Sequence, residues 1–324
     1  MFINNIKIHY YDKLIKQAIQ SENKNDLIKA FKGLKKNEPL LLQLLKSNIF
    51  KISENQEFID FFPQNILWVN SFRTNETTLV SKFLDYYFSK IDLPHVPHTN
   101  YAASLFDVFD DLKIKENITF AEISNFAYVY QYMIASSAPV KLITLNSNAA
   151  FFETKIGRHF THFFLTRAFI YIVKNPYEIY KEIKLTNPGL DNHSAINLLL
   201  NLDLSVSKVV DTKSKREYEE NRQGWGVNVS SWINPNVANT FKGLILKIED
   251  VLSSPETSLA EVIAHLMQSG LKIKLDYDII RDFISENQTY FKPNVQDYSI
   301  SNNELKILNR EIGSLVDKLK YSPN

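Results

Sequence analysis

The chain has 324 residues, of which 44% are hydrophobic and 23% charged; this excludes a wholly disordered polymer, which needs low hydrophobicity and high net charge. Lys and Arg number 37 against 36 Asp and Glu, so overall charge gives no support for a nucleic-acid or polyanion binder. There is no cysteine, which excludes a disulfide scaffold, a thiol nucleophile and a cysteine zinc site.

Residues 1–62 read as a helical N-terminal extension. Tyr11–Gln20, Lys24–Leu34 and Pro39–Lys46 carry apolar residues at spacings of three and four, the spacing of a helix face, and Pro39 suits a first helical turn. These helices carry no recognisable chemistry and are candidates for contact with a protein partner. The start, MFINNIKIHYYDKL, is too polar for a secretory signal. The richest apolar stretch, Phe163–Val173, is interrupted by Arg167 and falls short of the roughly 20 residues of a membrane span. The expectation is a soluble, cytoplasmic protein.

Residues 63–324 read as one α/β domain. Four short, nearly continuous apolar runs, Ile66–Ser71, Val140–Leu145, Ala168–Val173 and Lys242–Ile248, have the character of strands covered on both faces of a parallel sheet. Helices are expected over Thr77–Phe88, Phe120–Ser136, Ala150–Leu165, Pro176–Leu185, Pro255–Ser269 and Asn303–Leu319. Leu93–Thr99 reads as a proline-bounded loop and the charged stretch Asp211–Arg222 as an exposed loop or helix. The alternation implies a three-layer sandwich, a central mainly parallel sheet flanked by helices. Ligands of open α/β sheets bind beyond the carboxyl ends of the strands, which directs attention to the residues after Ser71, Leu145, Val173 and Ile248.

Those positions carry a resemblance. Residues 224–259, GWGVNVSSWINPNVANTFKGLILKIEDVLSSPETSL, resemble the C-terminal part of the sulfotransferase family, G-x-W-x-x-H-v-x-S-W followed by R-Y-E-D-L and D-P-E-x-x-L. Trp225, Ser231, Trp232, Glu249, Asp250, Pro255, Glu256 and Leu259 fall in register; read from the residues alone, Glu249 and Asp250, which follow the fourth strand, have a solvated or capping role. YIVKNPYEI at Tyr171–Ile179 is similar to the strand and turn Y-l-v-R-N-P-r-D-v. WVNSFRTNETTLVSKFL at Trp68–Leu84 is similar to the first strand, phosphate loop and helix, v-S-y-P-R-S-G-T-T-L-L. The pieces stand in family order across roughly residues 66–270.

The resemblance implies a fold related to nucleotide kinases and a donor, 3′-phosphoadenosine 5′-phosphosulfate (PAPS), whose sulfuryl group passes to a hydroxyl of a carbohydrate, peptide or small molecule. It implies that the first loop holds the 5′-phosphosulfate. In one register Thr77 and Thr78 take the T-T positions and Glu76 the glycine. In the other Arg73 is the basic residue, Thr74 the serine and Asn75 the glycine. Lys174 stands for the arginine that binds the 3′-phosphate, Glu182 for the serine eight residues later, and Arg222 lies near the same phosphate. The histidine base falls at Asn146, which takes no proton at neutral pH; His98, in the proline-bounded loop, is the alternative. Three replacements, of glycine, serine and histidine, touch one ligand and leave a second reading open: an inactive relative acting as a binding or interaction module. The seven histidines show no metal-ligand spacing, and no P-loop ATPase or zinc-protease motif occurs.

Overall fold

The structure is a computed structural model describing residues 64–72, 74–101, 131, 134, 135, 138, 140–153, 158–161, 165–201, 207–210, 217–220, 223–291 and 298–322. The expected N-terminal helices of residues 1–62 lie outside the described residues.

In chain order the elements begin with β1 (Ile66–Ser71), α1 (Thr74–Lys90), β2 (His95–Asn100) and β3 (Leu142–Ser147). Next come the short strands β4 (Phe152–Glu153) and β5 (Arg158–His159), then β6 (Thr166–Val173), α2 (Pro176–Thr186) and α3 (Asn192–Leu200). A hairpin of β7 (Ser207–Val210) and β8 (Glu217–Glu220) precedes α4 (Trp225–Trp232), α5 (Pro235–Thr240) and β9 (Gly243–Lys247). The last elements are α6 (Ile248–Ser253), α7 (Pro255–Gln268), α8 (Tyr277–Glu286), a 3₁₀ turn at Gln288–Phe291 and α9 (Asn302–Lys318).

Five strands form one sheet in the order β2-β3-β1-β6-β9, and every pairing in it is parallel. Alternate side chains of each strand enter different layers, as the pleat requires. Leu67 and Val69 of β1 with Ala168, Ile170 and Ile172 of β6 pack under Leu79, Val80, Phe83, Leu84 and Tyr87 of α1 and under α7 and α8. Ile66 and Trp68, with Phe169, Tyr171 and Val173, pack on the opposite face under α2, α3, α4 and α9. Fully buried Trp232 is ringed by Phe169 at 4.8 Å, Phe151 at 5.0 Å and Tyr171 at 5.7 Å, so α4 is anchored to the sheet by aromatic contacts worth about 0.5–1.5 kcal/mol each beyond their area. Helix α1 forms because its apolar residues fall at 79, 80, 83, 84, 87 and 88, a single buried stripe.

Four expectations need correction. Residues 150–165 are not a helix: Phe152–Glu153 and Arg158–His159 pair antiparallel. Phe151, buried beside Trp232, donates its N–H to Ser231 Oγ at 2.9 Å, and its carbonyl accepts from Phe160 N–H at 2.6 Å, which fixes an extended entry and exit. The stretch read as a loop around His98 is the edge strand β2, whose register slips between Val96 and Thr99; Pro97 sits in that slip, where a missing N–H is tolerated. Glu217–Glu220, read as loop or helix, is a strand. Glu249, read as solvated or capping, is largely buried and hydrogen-bonded, as described below. Of the helix expected over Phe120–Ser136, Gln131, Ile134 and Ala135 are helical and the rest lies outside the described residues.

Candidate functional site

The sheet order contains a switch point. The connection leaving β1 runs to β2 on one side, and that leaving β6 runs to β9 on the other, so a crevice opens between the carboxyl ends of β1 and β6. Ser71 is in register with Ile172 of β6. The segments 72–78 and 174–182, a hundred residues apart in sequence, therefore emerge side by side.

On the β1 side only Phe72 and Arg73 separate the strand from α1, which begins at Thr74. Asn75 is thus helical and does not take the left-handed conformation that a glycine position would permit. Thr77 is buried and Thr78 half-buried in the second turn. Arg73, Arg222 and the side chains of Thr74, Asn75 and Glu76 lie outside the described residues. The amides of the first turn, lacking intrahelical partners, give this end of α1 a partial positive charge. Asn70, one residue before the strand ends, is fully buried, and among the described residues neither its Oδ1 nor its Nδ2 has a hydrogen-bond partner. Thr144 Oγ1 on β3 is in the same condition.

On the β6 side the turn is heavily tied. Asn175 Oδ1 accepts from Tyr177 N–H at 3.0 Å, capping α2, and Pro176 occupies its first position. Asn175 N–H donates to Glu249 Oε1 at 2.8 Å, and Trp225 Nε1 donates to the Lys174 carbonyl at 3.1 Å. Burial pushes the Glu249 carboxyl above the usual range, although Asn175 N–H, the Tyr321 hydroxyl and Lys174 act the other way. The Lys174 ammonium donates to Glu182 Oε1. The two residues expected at one phosphate meet each other as an ion pair.

At the base position Asn146 Oδ1 accepts from Ser81 Oγ of α1 at 2.6 Å, both side chains being buried. His98 is bound to Asp85 through Nδ1 at 2.5 Å and through its N–H at 3.1 Å. Asp85 is eleven residues along α1 from Thr74, about 16 Å at 1.5 Å per residue, so the structure does not bring His98 to the crevice. His265 Nε2 lies 3.0 Å from the Lys242 carbonyl, and burial lowers its pKa. Among the described residues no cluster of acidic or histidine side chains has the makings of a metal site, and no helix is long and apolar enough to cross a membrane.

A shallow cleft of 480 Å³ opens elsewhere, lined by Ser254, Glu256, Arg281 and Gln288 among others. Its Arg281 is matched by Glu256 at 3.0 Å and Asp278 at 3.3 Å. Lys174 is paired in the same way, so position decides: the switch-point crevice lies beyond the carboxyl ends of the strands and is the better candidate.

No protein-family model and no curated protein sequence matches the chain. Among solved structures the chain is similar to a mouse sulfotransferase complexed with PAP, with 13% identity, a TM-score of 0.43, and coverage of 84% of this chain and 91% of that one. At that distance the likeness assigns neither activity nor substrate. Tyr321, which holds part of this edge, has no signal in the sequence, because nothing local marks a tyrosine 72 residues from its partner.

Proposed function

We propose that this protein is a PAPS-dependent sulfotransferase acting on a hydroxyl of a carbohydrate, peptide or small molecule. The supporting observation is the parallel register of β1 with β6, because the segments that follow these two strands are the ones the family resemblance reads as donor-binding. In this reading the 5′-phosphosulfate lies at the start of α1, against the amides there and Thr74, Asn75, Thr77 and Thr78. Arg73 stabilises the oxygen that leaves with the phosphate. Lys174, with Arg222, meets the 3′-phosphate. Asn146 hydrogen-bonds the acceptor without taking its proton. The donor supplies an already activated sulfuryl group, so positioning and charge stabilisation carry the reaction. Lack of a base forfeits about 10²–10⁴ in rate.

The residues fit this donor incompletely. An anion at Lys174 must compete with Glu182 for the ammonium, so affinity for 3′-phosphoadenosine 5′-phosphate (PAP) is low. Calorimetric titration is expected to give a dissociation constant of about 10 μM, and absence of binding at about 1 mM overturns the reading. The Lys174–Glu182 pair and the Ser81–Asn146 bond favour a second reading, a binding module that keeps the sandwich with its donor site closed by its own side chains. A submicromolar constant for PAP excludes that alternative.

A further inference from the structure

We propose that Tyr321 is a positioning residue that fixes Lys174 for an anionic group of the ligand, acting through the turn between β6 and α2. The proposal rests on the sulfuryl-transfer reading, in which that group is the 3′-phosphate.

Helix α9 ends in a tight reversal. Tyr321 N–H donates to the Val316 carbonyl and Lys320 N–H to that of Asp317, both at 3.0 Å, the paired bonds of a Schellman turn. Lys320 has φ of 53°, a left-handed conformation that glycine adopts far more readily than lysine. The reversal sends the chain back over the carboxyl ends of β6 and β9. There the Tyr321 hydroxyl is shared between the Val173 carbonyl and Glu249 Oε2, 3.2 Å from each. Ser322 offers its carbonyl to Asn175 Nδ2 at 2.9 Å, and Lys247 Nζ lies 4.8 Å from the centre of the Tyr321 ring.

These bonds enclose Lys174. The carbonyl before it is held by Tyr321, its own carbonyl by Trp225, and the next N–H by Glu249, which Tyr321 itself orients. A strand-to-helix connection needs only its helix cap, and Asn175 already supplies that. The additional convergence of two aromatic side chains, a buried carboxylate and a returning strap holds the backbone of a single lysine at the switch point. Pre-fixing the backbone of a binding side chain reduces what the ligand must order when it binds. Glu182 holds the ammonium in place until a doubly charged anion displaces it.

The experiment titrates the full chain with PAP and with adenosine 5′-monophosphate (AMP), which lacks the 3′-phosphate. Wild type is expected to prefer PAP. Tyr321→Phe is expected to weaken PAP about tenfold, the lower end of the effect of groups that orient a binding side chain, and to leave AMP within about twofold. In a Lys174→Ala background the same change is expected to have no effect on PAP, because residues acting as one unit are not additive. Equal weakening of PAP and AMP, unchanged PAP affinity in Tyr321→Phe, or a full effect without Lys174 overturns the positioning role. If Tyr321→Phe does not fold, Glu249→Gln tests the same linkage with the same outcomes. A wild type that binds no PAP overturns the sulfuryl-transfer reading itself, and this role falls with it.

Discussion

The two sides of the crevice are built on opposite principles. On the β6 side, Lys174, Asn175, Trp225, Glu249 and Tyr321 satisfy one another's polar groups across distant parts of the chain. On the β1 side, Asn70 is fully buried and neither of its amide atoms has a partner among the described residues. A buried polar group without a partner costs about 1–3 kcal/mol, and such groups persist where function, not stability, selected them. The comparison teaches that rigidity and cost are divided: one wall of the crevice is fixed for presenting a side chain, and the other carries polar groups that the fold alone does not use.

The largest test of that division is Trp225→Ala. Trp225 is fully buried and its Nε1 donates to the Lys174 carbonyl, so the change removes a large core side chain together with that hydrogen bond. A loss of about 3–5 kcal/mol is expected in urea unfolding; a loss below about 1 kcal/mol would mean that the tied wall contributes little to the fold. The opposite sign is expected across the crevice. Asn70→Leu keeps the branched skeleton and heavy-atom count and removes the unpartnered amide, and should leave stability unchanged or raise it by up to about 2 kcal/mol. A clear loss in the same assay would show that Asn70 has a buried water or another partner, and the contrast between the walls would vanish.

Next comes the ion pair. Glu182→Ser removes the carboxylate that meets the Lys174 ammonium and should tighten PAP by about tenfold, close to 1.4 kcal/mol, by calorimetry. Because the pair is only partly buried, its contribution to stability is small and the melting temperature should barely move. Unchanged affinity would separate Lys174 from the ligand and favour the closed binding module.

Much of the architecture could be read from the chain, for physical reasons visible at particular residues. Strand β1 occupies Ile66–Ser71 as expected, because an uninterrupted apolar run in the middle of a parallel sheet has one solution. Strand β3 sits two residues later than expected, at Leu142–Ser147. Val140 is 84% exposed, whereas the polar Asn146 and Ser147 are buried, since Ser81 supplies Asn146 with a partner from another element. The 150–165 region misled because Phe151, Phe152, Phe160, Phe163 and Phe164 imitate a helical stripe; Gly157 within it was the contrary signal, costing about 1 kcal/mol in a helix. At the site, the meeting of Lys174 with Glu182 follows from an eight-residue spacing on a strand-to-helix turn. The roles of Tyr321 and Glu249 do not, because their bonds span 72 residues or more and depend on how α9 ends.

Protonation sharpens the contrast further. Glu249 lies on the tied wall, and burial holds its carboxyl above the ordinary value of 4.5. Between that value and its folded pKa the native protein binds more protons than the unfolded chain, so Glu249 makes stability fall as pH rises through this window. Wild type and Glu249→Gln should therefore show unfolding free energies that diverge as pH rises from about 4.5, with wild type losing ground. Parallel curves would mean that the carboxyl is more hydrated than its hydrogen bonds to Asn175 and Tyr321 imply.

The smallest effect concerns the turn that delivers Tyr321. Lys320 adopts a left-handed conformation at φ of 53°, which costs a non-glycine residue about 1 kcal/mol or slightly more. Glycine at this position relieves that cost and loses part of the gain to greater freedom of the unfolded chain. Lys320→Gly should thus stabilise by about 0.5 kcal/mol in urea unfolding, while the hydrogen bonds of Tyr321 to Val173 and Glu249 stay in place and PAP affinity holds within about twofold. A stabilised protein with altered PAP affinity would carry more weight than the energy itself. It would show that the strained turn, and not merely the tyrosine it delivers, sets the position of Lys174, and that the tied wall of the crevice is held under tension from the far end of α9.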